Sequence, residues 1–187
     1  MAKITFMGAG STVFARNVLG DCMCSEALCE SEIALYDIDA KRLEDSEIIL
    51  NAINKNVNEG RAQIKTYLGV ENRKEALRGA DFVVNAIQVG GYDPCTITDF
   101  EIPKKYGLRQ TIADSLGIGG IMRGLRTIPV MQEFANDMPG CIIFKLYKSN
   151  GDFIRLYAEI YWCKNRRSLP QRSGVLKRFI DEAWNGR

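Results

Sequence analysis

Two closely spaced glycines near the start of the chain are the residues most suggestive of chemistry. Gly8 and Gly10 follow a short apolar segment, Lys3 to Met7, and precede a helix-compatible stretch from Val13 to Leu19. A glycine turn between a strand and a helix lets the backbone approach a pyrophosphate at the helix N-terminus. Val13 stands where the usual dinucleotide-binding pattern has its third glycine. The turn alone is therefore also compatible with an ordinary strand-to-helix connection.

An acidic pair after the second apolar segment is the next chemical feature. Ile33 to Tyr36 predicts a strand, and Asp37 and Asp39 follow it. An acidic residue at the tip of the second strand binds the ribose hydroxyls in NAD-type sites, and we favour Asp37 for this role. The separation from the glycine turn is longer than the usual spacing of about 20 residues. Either aspartate could instead cap the helix that follows.

The composition narrows the possible classes of protein. The chain has 187 residues, 46% of them hydrophobic and 26% charged, which is typical of one soluble globular domain. No apolar run approaches the roughly 20 residues that span a bilayer, and no secretory segment precedes the first strand. We therefore expect a cytoplasmic protein that does not contact a membrane. The absence of histidine excludes Ser-His, Cys-His and His-metal mechanisms for the chain as written.

Six cysteines are present, and we expect them to be free thiols because the chain shows no sign of secretion. Cys22, Cys24 and Cys29 are close enough in sequence to suggest a metal site. Their segment predicts a helix, however, and it brings no second pair at metal-ligand spacing. We expect no metal ligands there.

The elements that must position these residues alternate between helix and strand. In order, the sequence predicts a helix over 41–58, a strand over 64–68, a helix over 73–79, a strand over 81–87, helices over 100–106 and 120–134, and a strand from 141. This order predicts an α/β protein with a Rossmann-type, doubly wound parallel sheet. The strand 81–87 is nearly all apolar, as is typical of a central strand covered on both faces. The loop Gln88 to Pro94 then lies at its carboxyl end, where open α/β sheets bind ligands.

Individual apolar positions are predicted in two of these elements. The helix over 41–58 is amphipathic, with an apolar face composed of Leu43, Ile48, Ile49, Leu50 and Ile53. The core of the strand over 81–87 is expected to contain Phe82, Val83, Val84 and Ile87. The first set follows from helical periodicity and the second from a nearly unbroken apolar run.

Five blocks of sequence together carry a family resemblance. They are Gly8 to Ser11, Val84 to Ala86, Gly90 to Thr96, Thr98 to Glu101 and Gln110 to Ile121. The chain resembles the α-galactosidase branch of glycoside hydrolase family 4 over residues 3–144. The block from Gln110 to Ile121 is the most specific, because an ordinary dehydrogenase has no reason to share it.

The resemblance implies an unusual glycosidase chemistry. Most glycosidases use two carboxylates, whereas this family depends on NAD. In the family, NAD takes a hydride from the sugar C3, which acidifies the C2 proton, and a divalent metal, usually manganese, stabilises the enediolate. A tyrosine base removes the proton, the aglycone leaves by elimination, water adds, and the hydride returns. The resemblance also implies a small-molecule sugar substrate and homo-oligomers.

Transferred residue by residue, the resemblance assigns two groups of side chains. The group expected to bind the dinucleotide contains Gly8, Gly10, Ser11, Thr12 and Asp37, with Asn85, Gln88 and Gly90 nearer the nicotinamide. The group expected at the sugar end contains Tyr92, Asp93, Asp114 and Arg123. Asp114 could instead be a helix N-cap, and Arg123 could be a surface charge.

The resemblance ends after Phe144. The family continues with an N-Y-T-N-P-M-A segment that touches the sugar and a G-L-C-H-S segment whose cysteine binds the metal, and neither occurs here. We therefore divide the chain into a NAD-binding domain, residues 1–144, and a non-family tail, residues 145–187. This chain is expected to retain no metal ligand, no tyrosine base and no second, substrate-covering domain, so it is predicted to be a truncated, inactive cofactor half that exposes apolar surface.

A shift of reading frame would explain the tail. If one extra nucleotide lies near the codons of Ile142 and Ile143, degenerate codons read one base later can spell F-L-N-Y-T-N-P-M-A-I-L and, further on, T-G-V-K-T-V-G-L-C-H-S-V-Q. The tail's 10 basic residues against 4 acidic ones would then be an accident of frame. The alternative is a genuine C-terminus with apolar residues at helical spacing, namely Val175, Leu176, Phe179, Ile180 and Trp184.

Three functions from different classes follow from these observations. The first is a family 4 α-galactosidase in truncated form, the second a stand-alone NAD(P)-binding, dehydrogenase-like protein, and the third a nucleic-acid or partner-binding module that uses the basic tail. The block from Gln110 to Ile121 favours the first, and we expect no nucleic-acid partner. Within the family, which also includes glucosidases, glucuronidases and phospho-glycosidases, Gly90 to Cys95 and Ala113 to Gly117 favour galactosides.

Overall fold

A five-stranded parallel sheet forms the centre of the protein. The structure, a computed structural model, describes residues 1–111 and 117–138 and the backbone of 142–145. Its elements are β1 (Lys3–Met7), α1 (Thr12–Cys24), β2 (Glu32–Asp37), α2 (Ala40–Val57), β3 (Gln63–Leu68), α3 (Arg73–Leu77), β4 (Phe82–Asn85), α4 (Ile97–Lys105), α5 (Ile118–Asn136) and β5 (Ile142–Lys145). Asp114, the tail from residue 146 and its predicted helical segment lie outside the described residues.

The strand order confirms the predicted Rossmann-type fold. The strands run β3-β2-β1-β4-β5, and every pair is parallel. After β1, the chain adds β2 and then β3 on one side of β1. It then crosses back and adds β4 and β5 on the other side, so the order of strand addition reverses at β1. Such a reversal opens a crevice at the carboxyl ends of the two flanking strands. Here that crevice lies between the ends of β1 and β4, where Met7 pairs with Asn85.

Continuous burial explains why the central strands form. In β1 and β2 at least four successive residues are buried, which is the pattern of parallel strands covered on both faces. In β4, Val83 and Val84 are buried as predicted, whereas Phe82 is half-buried. The strand β3 lies at an edge, where only Ile64 and Tyr67 are half-buried and the other four residues are exposed. Its exposed Lys65 is a charge of the kind that discourages edge-to-edge pairing.

The helix α2 departs from its predicted apolar face. Leu43 and Leu50 are buried, but Ile48 is 60% exposed, so its prediction as a core residue was wrong. Ser46 and Asn54 occupy buried positions instead. The hydroxyl of Ser46 donates to the carbonyl of Ala9 at 2.5 Å, and the amide of Asn54 donates to the carbonyl of Ala62 at 2.8 Å. Polar residues replace apolar ones there because this helix must satisfy backbone groups of neighbouring turns.

A cluster around Arg73 fixes the C-terminal end of α5 to α3. The guanidinium of Arg73 contacts Asp137 at 2.7 Å and Glu133 at 2.9 Å, and it lies 5.0 Å from the ring centroid of Phe134. Phe134 in turn meets Tyr36 of β2 edge to face, at a centroid distance of 6.1 Å. These contacts orient the whole of α5, whose other end lies near the carboxyl ends of the strands.

The opposite side of α5 is apolar and exposed. Ile118, Ile121, Met122 and Leu125 follow one another at helical spacing and are about half exposed or more. Gly119 and Gly124, in contrast, are on the buried side. The helix therefore has two non-polar faces, and only one is covered by the described residues.

The cysteines of the described part are free thiols. Cys22 and Cys29 are buried, Cys24 is exposed, and Cys95 is half-buried. Burial, reinforced by the neighbouring charge of Asp21, raises the pKa of the Cys22 thiol to about 12. Among residues 1–111 and 117–138, no three histidine, cysteine or acidic side chains are grouped to hold a metal ion. Within the same ranges, no helix is long and apolar enough to cross a membrane.

Candidate dinucleotide-binding site

The turn after β1 accepts only glycine at its first position. Gly8 has φ +87°, and a Cβ there would lie 2.8 Å from the carbonyl carbon of Ala86 and 2.9 Å from the amide nitrogen of Ile87. The amides of Gly8 and Ala9 both donate to the carbonyl of Tyr36 at 2.9 Å. The turn is therefore clamped between β2 and the exit of β4, and there is no room for a side chain.

The second glycine of the turn lies against Asp37. The amide of Gly10 donates to one carboxylate oxygen of Asp37 at 2.6 Å, and the amide of Asp39 donates to the other at 2.9 Å. A Cβ on Gly10 would come within 2.8 Å of the same carboxylate. Asp39 has the other role considered from the sequence, since it is the N-cap of α2 and accepts from the amide of Arg42 at 3.1 Å. Asp37 is thus the aspartate that faces the glycine turn.

The N-terminus of α1 carries the features of an anion site. Ser11 is its N-cap but makes no side-chain capping bond, and the first turn contains no acidic residue. No acidic residue of α1 itself therefore competes for the positive end of the helix dipole, and the Asp37 carboxylate binds the amide of Gly10, before the N-cap. Val13, in place of the third glycine, is 60% exposed, whereas Ala15 is fully buried and provides the small residue that close packing of the helix requires. The replacement of the third glycine by Val13 therefore does not disturb the packing of α1.

Asn85 shapes the connection that leaves β4. It is buried; its amide nitrogen donates to the sulfur of Met131 at 2.7 Å, and its oxygen accepts from the amide of Ile87 at 3.1 Å. Both ends of the side chain are therefore engaged within the protein. This arrangement fixes the base of the next loop against α5.

The loop from Gln88 to Thr96 folds back on itself. Gly90 has φ +85°, and a Cβ there would overlap the sulfur of Cys95. The hydroxyl of Thr96 accepts from the side-chain amide of Gln88 at 2.7 Å and from Arg123 at 2.9 Å, and it donates to the carbonyl of Gly91 at 3.3 Å. Thr96 is thus the residue that closes the loop and attaches it to α5.

The two predicted sugar-end residues of this loop face solvent. Tyr92 is 70% exposed, and Asp93, which precedes Pro94 through a cis peptide bond, is also exposed. Arg123 is not the surface charge considered as an alternative, because its side chain is only 28% exposed and its guanidinium contacts Thr96. The structure therefore groups Tyr92, Asp93 and Arg123 around one loop.

A buried carboxylate that the sequence analysis did not single out lies beside this loop. Asp99, in α4, is 6% exposed and accepts two bonds from Arg126 of α5, at 2.9 and 2.5 Å. Arg123 approaches the same carboxylate at 3.9 Å. The hydrogen bonds that Arg126 donates to Asp99 raise the pKa of Arg126, so this guanidinium stays ionised. Two arginines three residues apart in the otherwise apolar first nine residues of α5 were the signal for such a partner.

Taken together, four features define a Rossmann-type dinucleotide-binding domain. They are the parallel sheet, the glycine turn that excludes a Cβ, the first turn of α1 without an acidic residue, and the carboxylate at the tip of β2. Comparison with known proteins narrows this class. A family model described as "Family 4 glycosyl hydrolase" matches residues 3–141. The chain belongs to the family 4 glycosyl hydrolases.

Individual relatives agree with this assignment. An alpha-galactosidase of Bacillus subtilis is 60% identical over 138 residues, which are 74% of this chain and 31% of that protein. An alpha-galacturonidase of Thermoanaerobacterium saccharolyticum is 38% identical over 136 residues, 71% of this chain and 28% of that protein. The crystal structure of a 6-phospho-alpha-glucosidase from gut microorganisms, in complex with NAD and glucose-6-phosphate, aligns with a TM-score of 0.64 at 25% identity, over 78% of this chain and 33% of that one. The chain thus spans about a third of the length of the relatives it matches.

Proposed function

We propose that this chain is the NAD-binding part of an α-galactosidase-like glycosidase that requires NAD and a divalent metal. The observation that carries the proposal is the contact between Gly10 and Asp37, in a turn where Gly8 has no space for a Cβ. The high identity to an alpha-galactosidase supports galactosides over other sugars. Hydrolysis belongs to the whole family protein, of which this chain corresponds to about a third.

Different residues of the site bind different parts of NAD. The backbone from Gly8 to Ser11 and the N-terminus of α1, at Thr12, receive the pyrophosphate, and the Asp37 carboxylate accepts from the adenosine ribose hydroxyls. Gln88 and Gly90 border the nicotinamide half, and Asn85 fixes the base of their loop. Bound NAD supplies reversible hydride acceptance. The protein's task is to hold the two ends of the cofactor in place.

The sugar end is less complete within this chain. Tyr92, Asp93 and Arg123 border the loop beyond the nicotinamide side, and we assign them to the sugar, together with Asp114. The described residues do not fit the divalent metal, manganese in the family resemblance, because they contain no group of three suitable ligands. No catalytic step of this chain is therefore assigned to the metal.

Binding of NAD to the 187-residue chain tests the proposal directly. In calorimetric titrations, Asp37→Asn should weaken NAD binding by about 10- to 100-fold, because a charged acceptor for the ribose hydroxyls is lost. The unaltered chain should prefer NAD to NADP, since the carboxylate repels a 2′-phosphate. Asp45→Asn, an exposed carboxylate of α2, is the matched control and should leave both affinities unchanged. Equal NAD affinity in the Asp37 and Asp45 variants would contradict the proposed site.

The choice of sugar is tested with the full-length family protein. If the galactoside assignment is correct, hydrolysis of a nitrophenyl α-galactoside in the presence of NAD and manganese should exceed hydrolysis of the corresponding galacturonide. The reverse order would favour the substrate named for the relative that is 38% identical.

The tail of residues 145–187 is proposed to be read out of frame. The end of the family match at residue 141 supports this. Sequencing the gene across the codons for residues 138–187 tests it. A one-base difference that restores N-Y-T-N-P and G-L-C-H-S would establish the frame error and make this chain an inactive cofactor half. A confirmed frame without family sequence downstream would favour the stand-alone NAD(P)-binding protein instead.

Three further expectations stay predictions: a cytoplasmic location, the absence of a nucleic-acid partner, and homo-oligomers of the full-length protein. None is needed for the NAD-binding test.

A further inference from the structure

Four side chains link the loop after β4 to both helices that follow it. We call Thr96, Asp99, Arg123 and Arg126 the Asp99 network. Asp99 holds Arg126 through two hydrogen bonds and approaches Arg123, and Arg123 donates to Thr96 at 2.9 Å. The network therefore connects α4, α5 and the loop through polar contacts alone.

The Asp99 network contributes more to the relative positions of its elements than to the free energy of unfolding. A buried carboxylate beside two guanidinium groups costs desolvation, and apolar residues of similar size would stabilise the same contact as well or better. Loss of the Asp99 charge would leave two neighbouring cations without their common anion. The Nε of Arg126 is already buried and has no hydrogen-bond partner among the described residues, so the guanidinium depends on Asp99.

The packing around the network leaves it little freedom. A Cβ on Gly119 of α5 would overlap the carbonyl oxygen of Asp99, and one on Gly90 would overlap Cys95. The two helices and the loop therefore meet at backbone distance. A change in the position of Arg123 is then transmitted to Thr96 and so to the loop.

The position of the loop indicates which part of a dinucleotide it meets. Asp37 is at the end of β2, on one side of the glycine turn, and Gly8 touches Ala86 at the exit of β4, on the other. If the adenosine ribose lies at Asp37 and the pyrophosphate at the turn, the remaining half of the molecule extends over the end of β4. The loop from Gln88 to Thr96 begins there.

From this arrangement we infer that Asp99 is a positioning residue for the nicotinamide half of the cofactor. Asp99 holds Arg126 and attracts Arg123, Arg123 donates to Thr96, and Thr96 holds the loop in the conformation that receives the nicotinamide riboside. The inference rests on the proposed function, since it concerns the same site. Asp99 itself does not touch the cofactor.

The test compares NAD with ADP, which lacks the nicotinamide riboside, as ligands of the 187-residue chain. The unaltered chain should bind NAD more tightly than ADP. Asp99→Asn should reduce the preference for NAD by about 10-fold or more, because a charge-assisted contact is lost, and should leave ADP affinity unchanged. Glu101→Gln, which removes an exposed carboxylate of the same helix, is the control and should preserve the preference.

A pair of Thr96 variants provides a second test that leaves the buried Asp99 unchanged. Thr96→Ser keeps the hydroxyl and should retain the preference for NAD, whereas Thr96→Val keeps the shape and should lose it. A role limited to stability would lower NAD and ADP affinity together or leave both unchanged, and would not separate serine from valine.

The outcomes distinguish this inference from the proposed function. If the unaltered chain binds both ligands equally, or if Asp99→Asn and Thr96→Val retain the NAD preference, the inference is overturned while ADP binding still supports the dinucleotide site. If the unaltered chain binds neither ligand, the proposed function fails, and the inference fails with it.

Discussion

Replacing Gly8 by alanine should destabilise the protein far more than the same change at another glycine of similar φ. At Gly8, φ is +87°, and three backbone atoms of Ala86 and Ile87 lie within 2.9 Å of the position that a Cβ would occupy. The left-handed conformation costs an alanine about 1–2 kcal/mol. Overpacking against atoms that cannot rotate away adds about 1–3 kcal/mol.

Gly60 offers a matched control within the same chain. Its φ is +74°, but no atom lies within 4 Å of the position of its Cβ. Gly60→Ala should therefore show only the conformational cost, about 1–2 kcal/mol. The difference between the two variants isolates the contact between the glycine turn and the exit of β4.

Urea denaturation of both variants, followed by circular dichroism, measures the free energies of unfolding. We expect Gly8→Ala to lower the midpoint well below that of Gly60→Ala, with similar slopes in the two transitions. Equal losses in the two variants would refute the reasoning, because the turn could then accept a side chain. The argument that the pyrophosphate-binding turn requires glycine at position 8 would then be refuted.

Two further predictions concern charged clusters. Arg73→Met should cost about 2–4 kcal/mol in urea denaturation, because it removes an ion pair with Asp137 in which both side chains are only 11% exposed. The second pair that it removes, with Glu133, is 61% exposed on the carboxylate side. Arg78→Met, at a 75% exposed position, should change stability by less than about 1 kcal/mol. The hydrogen bond from Lys65 lowers the pKa of Glu32 below 4.5, so this carboxylate stabilises the fold above pH 4.5 and the benefit is lost as the pH falls through the lowered pKa. Glu32→Gln should therefore be less stable than the unaltered chain at pH 7, and the difference should shrink toward pH 3; a constant difference would contradict the sign of the shift.

The parts of the fold that the sequence predicted are those set by neighbouring residues. The strands β1, β2 and β4 follow from short apolar runs, and the glycine turn follows from its place between a strand and a helix. Asp37 was preferred to Asp39 from position alone, and the contact with Gly10 gives that preference a geometric reason. Local patterns suffice for the strands and the glycine turn because each is formed by residues adjacent in the chain, whereas the contact between Gly10 and Asp37 joins two successive units.

The misassignment of Ile48 has a different cause. Periodicity assigns a buried face by counting apolar residues, but α2 packs beside a turn and a loop whose carbonyls and amides need partners. Ser46 and Asn54 meet that need by binding Ala9 and Ala62, and Ile48 is left in solvent. A sequence does not report which backbone groups will lie opposite a helix, so buried polar residues of this kind are missed.

Asp99, at the site itself, is a second buried polar residue that local sequence patterns miss. In its own segment it follows Thr98 and precedes Phe100 and Glu101, and nothing there separates a buried carboxylate from a solvated one. Its partner Arg126 is 27 residues further along the chain, and only the pairing of α4 with α5 brings the two together. Two arginines at a spacing of three on an apolar helix require either solvent or an anion, because an isolated charge is costly to bury. The helix sequence could therefore predict that an acidic partner exists, whereas its identity depends on the tertiary contact that closes the loop beside the dinucleotide crevice.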